Sequence, residues 1–384
     1  MGLTSIATPP TGQLSAWSAT NPLGQKYWTN YYTYNAPTGT GRQSYAVSTR
    51  IQYLGGYYIF GDSNGNLCYS TDAKTWNQTQ PNTTNGITGI AYNGTNFVVT
   101  YSNNTIYTAS TPSGTWTART SAQSGTGNIN DIRWVSQLSL FIACGNGTTT
   151  PFNSIQSSPD GITWTNRYTA GSAMNFTIIA IDDTTATPTL VIGSDSATAT
   201  SAVYSTNGTS WSTTNPNANS QSVTIQFIKG ALSRFVVAYN GNYFYTQTSA
   251  AVATAWNTTP YVVFRSPANS AWFSNATQQT YSIGELQYDS VNNLYYMATS
   301  YINGSGIVNP PTLFTLDASK LVTAQLTTGT YTYYDYPIIK TEFLPPISFG
   351  TNSNYPSAGY GYANNIHIWV TTDQANYRQI YTTA

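Results

Sequence analysis

Charge is what this sequence has least of. Thirteen Lys and Arg balance thirteen Asp and Glu over 384 residues, a charged fraction of 7%, where soluble domains carry about 25%. No cation cluster exists, so neutralisation of nucleic-acid phosphates and adsorption to an anionic membrane surface are not expected. No apolar run approaches the roughly 18 residues of a membrane-spanning helix. The single histidine is His367, and the two cysteines are Cys68 and Cys144. Clustered zinc ligands are therefore missing, and no metal or other cofactor is expected. The cysteines stand in apolar strand patterns of different repeats and read as buried small hydrophobes, with a disulfide unforced. The opening MGLTSIATPPTGQLSAW has neither the basic start nor the apolar centre of a secretory signal. Its Met-Gly matches the myristoylation pattern only superficially.

What is present is aromatic and hydroxylated. Tyrosine contributes 32 residues and tryptophan 10, which disordered chains lack. The chain is expected to be folded and strand-rich. A small polar turn followed by tryptophan keeps returning, with Trp28, Trp76, Trp116, Trp164, Trp211 and Trp256 spaced by 48, 40, 48, 47 and 45 residues. Leu321 and Tyr377 continue the series as weaker echoes. Before each mark come an alternating strand (ITGIAYNG, VTIQFIKG), an apolar strand (NFVVTY, TLVIGS) and, past a Gly/Asn turn, a third strand (SAVYST). A fourth begins at the tryptophan. The period-2 patterning and the turn residues are hairpin signals.

Four antiparallel strands per 40–50 residues, repeated, predict an all-β fold: a single β-propeller of seven four-stranded blades, with eight or six as alternatives. The expected blades are 44–80, 86–120, 127–170, 174–215, 221–259, 281–328 and 333–384, with an insertion at 260–280. Residues 1–43 hold a partial unit suited to closing the C-terminal blade.

SSPDGITW resembles the Asp-box repeat (Ser-x-Asp-x-Gly-x-Thr-Trp) of sialidases and other propellers, including phage virion proteins. Ser158, Asp160, Gly161, Thr163 and Trp164 match it, one residue short between Asp and Gly. YSTDAKTW keeps Ser70, Asp72, Thr75 and Trp76 without the glycine, and YSTNGTSW keeps Ser205, Gly208 and Trp211 with Asn207 in the Asp place. The expected role is structural: the carboxylate or amide accepts backbone N–H groups, the glycine takes positive φ, and the tryptophan packs between blades. The resemblance implies that this turn lies away from a sialidase's active centre.

A sialidase would further need three arginines, a Tyr/Glu pair and an acid/base Asp. The chain has two glutamates, Glu285 and Glu342, and eight scattered arginines, and its FRSP at 264–267 is similar to a sialidase motif but misplaced. His367, alternating with Ile366 and Ile368, reads as a packed residue rather than a base. DSNGN at 62–66 and the pair Asp182–Asp183 could meet Ca²⁺ but are accounted for as turns. Not an enzyme, then, is the expectation.

Binding remains. Tyrosines cluster at Tyr27, Trp28, Tyr31 and Tyr32, at Tyr331, Tyr333 and Tyr334, and at Tyr355, Tyr360 and Tyr362. Exposed Tyr among Asn, Ser and Thr makes adaptable contact surfaces for protein or sugar. The expected function is a non-enzymatic structural and binding protein of a virus particle, a bacteriophage tail, fibre or capsid-surface component, made in the host cytoplasm and released by lysis. Expected partners are other virion proteins, a homo-oligomer, and host-surface carbohydrate; neither nucleic acid nor membrane insertion is expected. The alternatives are a free carbohydrate-binding lectin and a sialidase-like glycosidase.

Overall fold

The structure is a computed structural model. It describes residues 29–35, 48–82, 85–171, 174–194, 202–214, 224–229, 233–239, 243–254, 256, 261–262, 279–282, 286–302, 308–320, 324–325, 338–344, 358–372 and 377–383. Within them lie seven antiparallel sheets.

Blade 1 comprises Gln52–Leu54, Tyr57–Gly61, Leu67–Ser70 and Asn77–Thr79; blade 2 comprises Ile87–Tyr92, Phe97–Tyr101, Ile106–Ala109 and Thr117–Arg119. Blade 3 runs Ile129–Val135, Leu140–Gly145, Phe152–Ser158 and Thr165–Ala170, and blade 4 Phe176–Asp182, Thr189–Ser194, Ala202–Ser205 and Ser212–Thr214. Each is a meander, because short Gly/Asn turns permit only neighbours in sequence to pair. The second strand, apolar on both faces, is the most enclosed: all of Phe97–Tyr101 and all of Thr189–Ser194 are buried.

No blade covers its own flanks, so the core lies between blades. Ile59 and Leu67 of blade 1 pack with Ile90 and Val99 of blade 2; Ala91 and Val98 with Ile132 and Phe141 of blade 3; Ile142 and Ile155 with Phe176 and Ile192 of blade 4. Ala180 and Val191 then meet Ile225 and Phe235 of blade 5. The backbone N–H of Lys229 donates to Tyr295 Oη (2.6 Å), joining blades 5 and 6. Tyr296 and Leu313 of blade 6 pack with Trp369 of blade 7, and Ile368 and Val370 with Phe60 and Trp76 of blade 1. The wheel closes.

The later blades depart from the expected boundaries. Blade 5 consists of Thr224–Ile228, Arg234–Tyr239, Tyr243–Gln247 and Tyr261–Val262, and Ala324–Gln325 pairs onto its outer edge. The echo at Leu321 lies outside the described residues, and the next described strand, Ala324–Gln325, belongs to blade 5. In blade 6, Gln279–Ser282 and Gln287–Asp289 both pair with Leu294–Ile302, followed by Val308–Asp317 and Ile338–Phe343. This blade passes the expected end at 328 because the ten-residue Val308–Asp317 takes its outer partner from Ile338–Phe343. Blade 7 begins at Ala358–Ala363 rather than 333, continues through Ile366–Thr372 and Tyr377–Thr382, and is completed by Thr29–Asn35, which pairs with Tyr377–Thr382. Tyr377 therefore opens a third strand, while the mark at 28 directly precedes the fourth.

Candidate functional site: a ring-lined channel mouth

The polar turns place their side chains first. Asp160 Oδ1 accepts the N–H groups of Ile162 (2.8 Å) and Thr163 (3.1 Å) and the hydroxyl of Ser158 (2.9 Å), while the Gly161 N–H donates to Ser158 Oγ (2.8 Å). Asn207 repeats this with Thr209, Ser210 and Ser205, each bond 2.9–3.2 Å. Asp72 repeats it with Lys74, Thr75 and Ser70. Gly161 (φ 78°) and Gly208 (φ 68°) take the left-handed conformation, and Ala73 (φ 58°) takes it where the first turn has no glycine. The N–H groups of Thr75 and Lys74 hold the Asp72 carboxyl down at about 2. Burial pushes the Asp160 carboxyl up, but its three donors outweigh that and it lies below the usual carboxylate range. Trp76 and Trp164 donate Nε1–H to the turn carbonyls of Ala73 (3.2 Å) and Gly161 (3.0 Å) and pack toward the preceding blade, as Trp211 also does.

These turns join third to fourth strands, on the wheel face that also carries the first-to-second-strand hairpins. Asn93 and Asn96, in such a hairpin of blade 2, donate to the carbonyls of Pro159 and Asp160 in blade 3. The central channel opens on this face as a cavity of about 370 Å³.

Six inner strands line it, each with residues two apart, as period-2 strands require. The deeper layer is Gln52, Ile90, Ile132, Ile179, Phe227 and Leu286, a largely apolar floor. The mouth is Leu54, Tyr92, Trp134, Ile181, Lys229 and Tyr288, all partly exposed. Every ring of the mouth is backed by a directly opposite ring on the second strand: Tyr92 by Phe97 (centroids 4.3 Å), Trp134 by Phe141 (4.7 Å), Tyr288 by Tyr295 (4.7 Å). Cross-strand aromatic pairs of this kind fix ring orientation. The polar atoms of the mouth are engaged locally. Tyr92 Oη donates to the Gly94 carbonyl (2.7 Å), Tyr288 Oη to Asn293 Oδ1 (3.0 Å), and Gln52 Nε2 to the Ile90 carbonyl (2.9 Å). Lys229 Nζ lies 2.7 Å from Asp183 Oδ1. The Arg133 guanidinium, in the wall between the layers, lies 3.7 Å from Asp131 Oδ2.

The predicted tyrosine surface is only partly described. Tyr27, Trp28, Tyr331, Tyr333, Tyr334 and Tyr355 lie outside the described residues, and for Tyr31 and Tyr32 only the strand pairing is described. Tyr360, expected at a contact surface, is buried: its Oη meets His367 Nδ1 at 2.7 Å, inside the cluster where blade 6 packs on blade 7. Strand alternation turns it inward because Gly359 and Gly361 flank it and Trp369 is its cross-strand partner. Tyr362 is half-buried and donates to Asp289 Oδ2 (2.7 Å). Asp289 is held below the usual range: burial raises it, but Asn292 and Tyr362 donate to it. Tyr296, in the same cluster, is pushed up to about 12, chiefly by burial. His367 is packed, as expected. Cys68 and Cys144 are buried and form no disulfide, and burial raises the Cys144 thiol well above its ordinary value.

The mouth was missed because it is assembled from single residues, one at the end of each first strand. The signal was a recurrent large apolar or aromatic residue just before the first hairpin of a unit.

No family model matches the sequence, and no curated relative does. In structure, 950 solved chains match, too many for the fold to select a function. One is the propeller protein YCF48 bound to D1 peptide, 12% identical, covering 91% of this chain and 94% of that chain with a TM-score of 0.53. The fold is a β-propeller.

Proposed function

We propose that the protein is a non-enzymatic structural and binding component of a virus particle, a bacteriophage tail, fibre or capsid-surface protein that attaches to another virion protein. The observation that carries the binding role is the ring-lined mouth, where Tyr92, Trp134 and Tyr288 stand partly exposed and fixed against second-strand rings, aromatic side chains being enriched at interfaces. The virion role draws on the resemblance of the Ser158–Trp164, Ser70–Trp76 and Ser205–Trp211 turns to the Asp-box of phage propellers. It also draws on a charge-poor surface whose contacts salt would barely screen. Carboxylates of the described core are committed to holding the wheel. Asp131 accepts from Arg50 and Ile179, Asp62 from Asn64 and Asn66, and Glu342 pairs with Lys340. The similar propeller solved with a peptide is an analogy of fold and assigns no partner.

The test is mass spectrometry of gradient-purified particles from the producing host. The chain should be present at a fixed ratio to the major capsid protein. Its absence from particles, with the protein free in the lysate, would refute the virion role.

A further inference from the structure

We infer that Asn93 is a site of covalent self-modification, where the backbone nitrogen of Gly94 attacks the side-chain amide and water then leaves aspartate or isoaspartate in its place. Asparagine is a thermolabile residue, and a following glycine leaves the attacking nitrogen unshielded because it carries no side chain. The chain holds seven Asn-Gly pairs. Asn240–Gly241 and Asn303–Gly304 lie outside the described residues. The other five differ in what surrounds the attacking nitrogen.

The electrophile is prepared alike at two of the five. Asn93 Oδ1 accepts the N–H groups of Thr95 (2.9 Å) and Asn96 (2.8 Å), and Asn207 Oδ1 those of Thr209 and Ser210 (both 2.9 Å). Paired N–H donors on a carbonyl oxygen stabilise the negative charge that grows there during attack. The nucleophile separates the two. Gly208 is buried and its N–H donates to Ser205 Oγ at 2.9 Å. Gly65 and Gly147 are likewise buried, their N–H groups donating to the Asp62 carbonyl (3.2 Å) and Ser154 Oγ (3.4 Å). Gly86 is wedged on the Ser63 backbone, where an added Cβ would lie 2.7 Å from the carbonyl oxygen. Gly94 alone of the five is exposed, with open space where a Cβ would stand, and its N–H has no acceptor among the described residues. That N–H is open to hydroxide, whereas burial opposes an amide anion at Gly65, Gly147 and Gly208.

The step balances with water as the only co-reactant. Gly94 N gives up its proton and bonds to Asn93 Cγ; the Cγ–Nδ2 bond breaks, the nitrogen leaves as ammonia, and a cyclic imide closes. Water then opens the imide at either carbonyl. Cleavage at Cγ gives aspartate, and cleavage at the main-chain carbonyl gives isoaspartate, with the chain rerouted through the side chain. Either product adds a carboxylate to a chain of formal net charge zero. Aspartate sets it against the Pro159 carbonyl, to which Asn93 Nδ2 donates at 3.5 Å across the seam of blades 2 and 3. Isoaspartate alters the loop whose Gly94 carbonyl anchors Tyr92 Oη at the channel mouth.

The experiment is peptide mapping by mass spectrometry of the whole wild-type chain, aged in mildly alkaline and in mildly acidic buffer, with a urea-unfolded sample aged alongside. In the folded chain the Asn93 peptide should convert at least tenfold faster than the Asn64, Asn85, Asn146 and Asn207 peptides. Its products should include isoaspartate, its rate should fall at least tenfold in the acidic buffer, and unfolding should erase its lead. Any of the other four converting as fast as Asn93 in the folded chain would overturn the assignment. So would an Asn93 that stays intact in the folded chain while the unfolded sample converts. Gly94→Ala should slow conversion at Asn93 at least tenfold. An unchanged rate, or aspartate without isoaspartate in the wild type, would mean direct hydrolysis by water and would equally overturn it. The wild-type map is decisive by itself, so a poorly folded variant does not blunt the test.

Discussion

The Arg50 guanidinium grips Asp131 with both arms, Nη1 to Oδ1 at 2.6 Å and Nη2 to Oδ2 at 2.9 Å, although Arg50 leads into blade 1 and Asp131 belongs to blade 3. The same carboxylate accepts the Ile179 N–H of blade 4 at 2.8 Å. One buried side chain thus ties three blades, with Gly89 of blade 2 supplying no side chain between them. An added Cβ there would lie 2.8 Å from Ile132 Cγ2 and 2.9 Å from Thr100 Oγ1.

Asp131→Ala should therefore destabilise the wheel more than loss of a single turn carboxylate such as Asp160. Breaking a buried pair costs about 3–5 kcal/mol; partial exposure of Arg50, 19%, reduces this to about 2–4 kcal/mol. Urea denaturation followed by tryptophan fluorescence measures it. A loss under about 1 kcal/mol would show that the tie contributes little beyond geometry.

The turn glycines are not equivalent to Ala73, and magnitudes decide how. At Gly161 a methyl group would sit 2.5 Å from Val98 Cγ2 of the preceding blade. Left-handed strain of about 1–2 kcal/mol adds to overpacking of about 1–3 kcal/mol, so Gly161→Ala should cost about 2–5 kcal/mol. At residue 73 the methyl is already present, fully buried and packed with Trp76. Ala73→Gly relieves about 1–2 kcal/mol of strain but forfeits about 0.8 kcal/mol of burial and about 0.5–1 kcal/mol of backbone entropy. The two sides nearly cancel, so Ala73→Gly should change stability by less than about 1 kcal/mol. Thermal melts of both variants check the contrast, and equal losses would refute it.

Asp160 and Asn207 perform the same acceptor task with different charge. Asp160→Asn should fold normally near neutral pH, at a cost below about 1 kcal/mol, whereas Asp160→Ala strands three donors and should cost about 1–2 kcal/mol. The sign of the pH effect follows from the lowered carboxyl. A group whose folded pKa is depressed stabilises above its unfolded value, near 3.9 for Asp, and that contribution is lost as pH falls through the folded value. The melting-temperature difference between wild type and Asp160→Asn should be flat above about pH 5 and shift against wild type below about pH 4. A difference unchanged down to about pH 2 would contradict the carboxylate's role.

Blades 1 to 4 were legible because each carries a tryptophan at one place after a third strand, in blades 1, 3 and 4 beside a turn that Asp72, Asp160 or Asn207 closes. That chemistry is local, so spacing alone reveals it. Blades 6 and 7 were not, because their fourth strands come from remote chain: Ile338–Phe343 follows a long connection, and Thr29–Asn35 arrives from the other terminus. Pairing across such distances leaves no period in sequence. The channel mouth was hidden for the same reason, since Leu54, Tyr92, Trp134 and Tyr288 become neighbours only when the ring closes. Tyr360 misled because composition records a tyrosine cluster but not which members alternate inward.

Tyr360 supplies the last prediction, since its burial converts a contact residue into a packing one. Its hydroxyl is the partner of His367 Nδ1 at 2.7 Å, and the imidazole stands edge-on to Tyr296, centroids 4.6 Å apart. Tyr360→Phe keeps the ring volume but leaves a buried nitrogen without that partner, which costs about 1–3 kcal/mol. The loss falls at the seam where blade 7 meets blade 6. The variant should melt at lower temperature in a thermal scan. Unchanged stability would show that the Tyr360 hydroxyl contributes nothing to this packing and would return it to the contact surface.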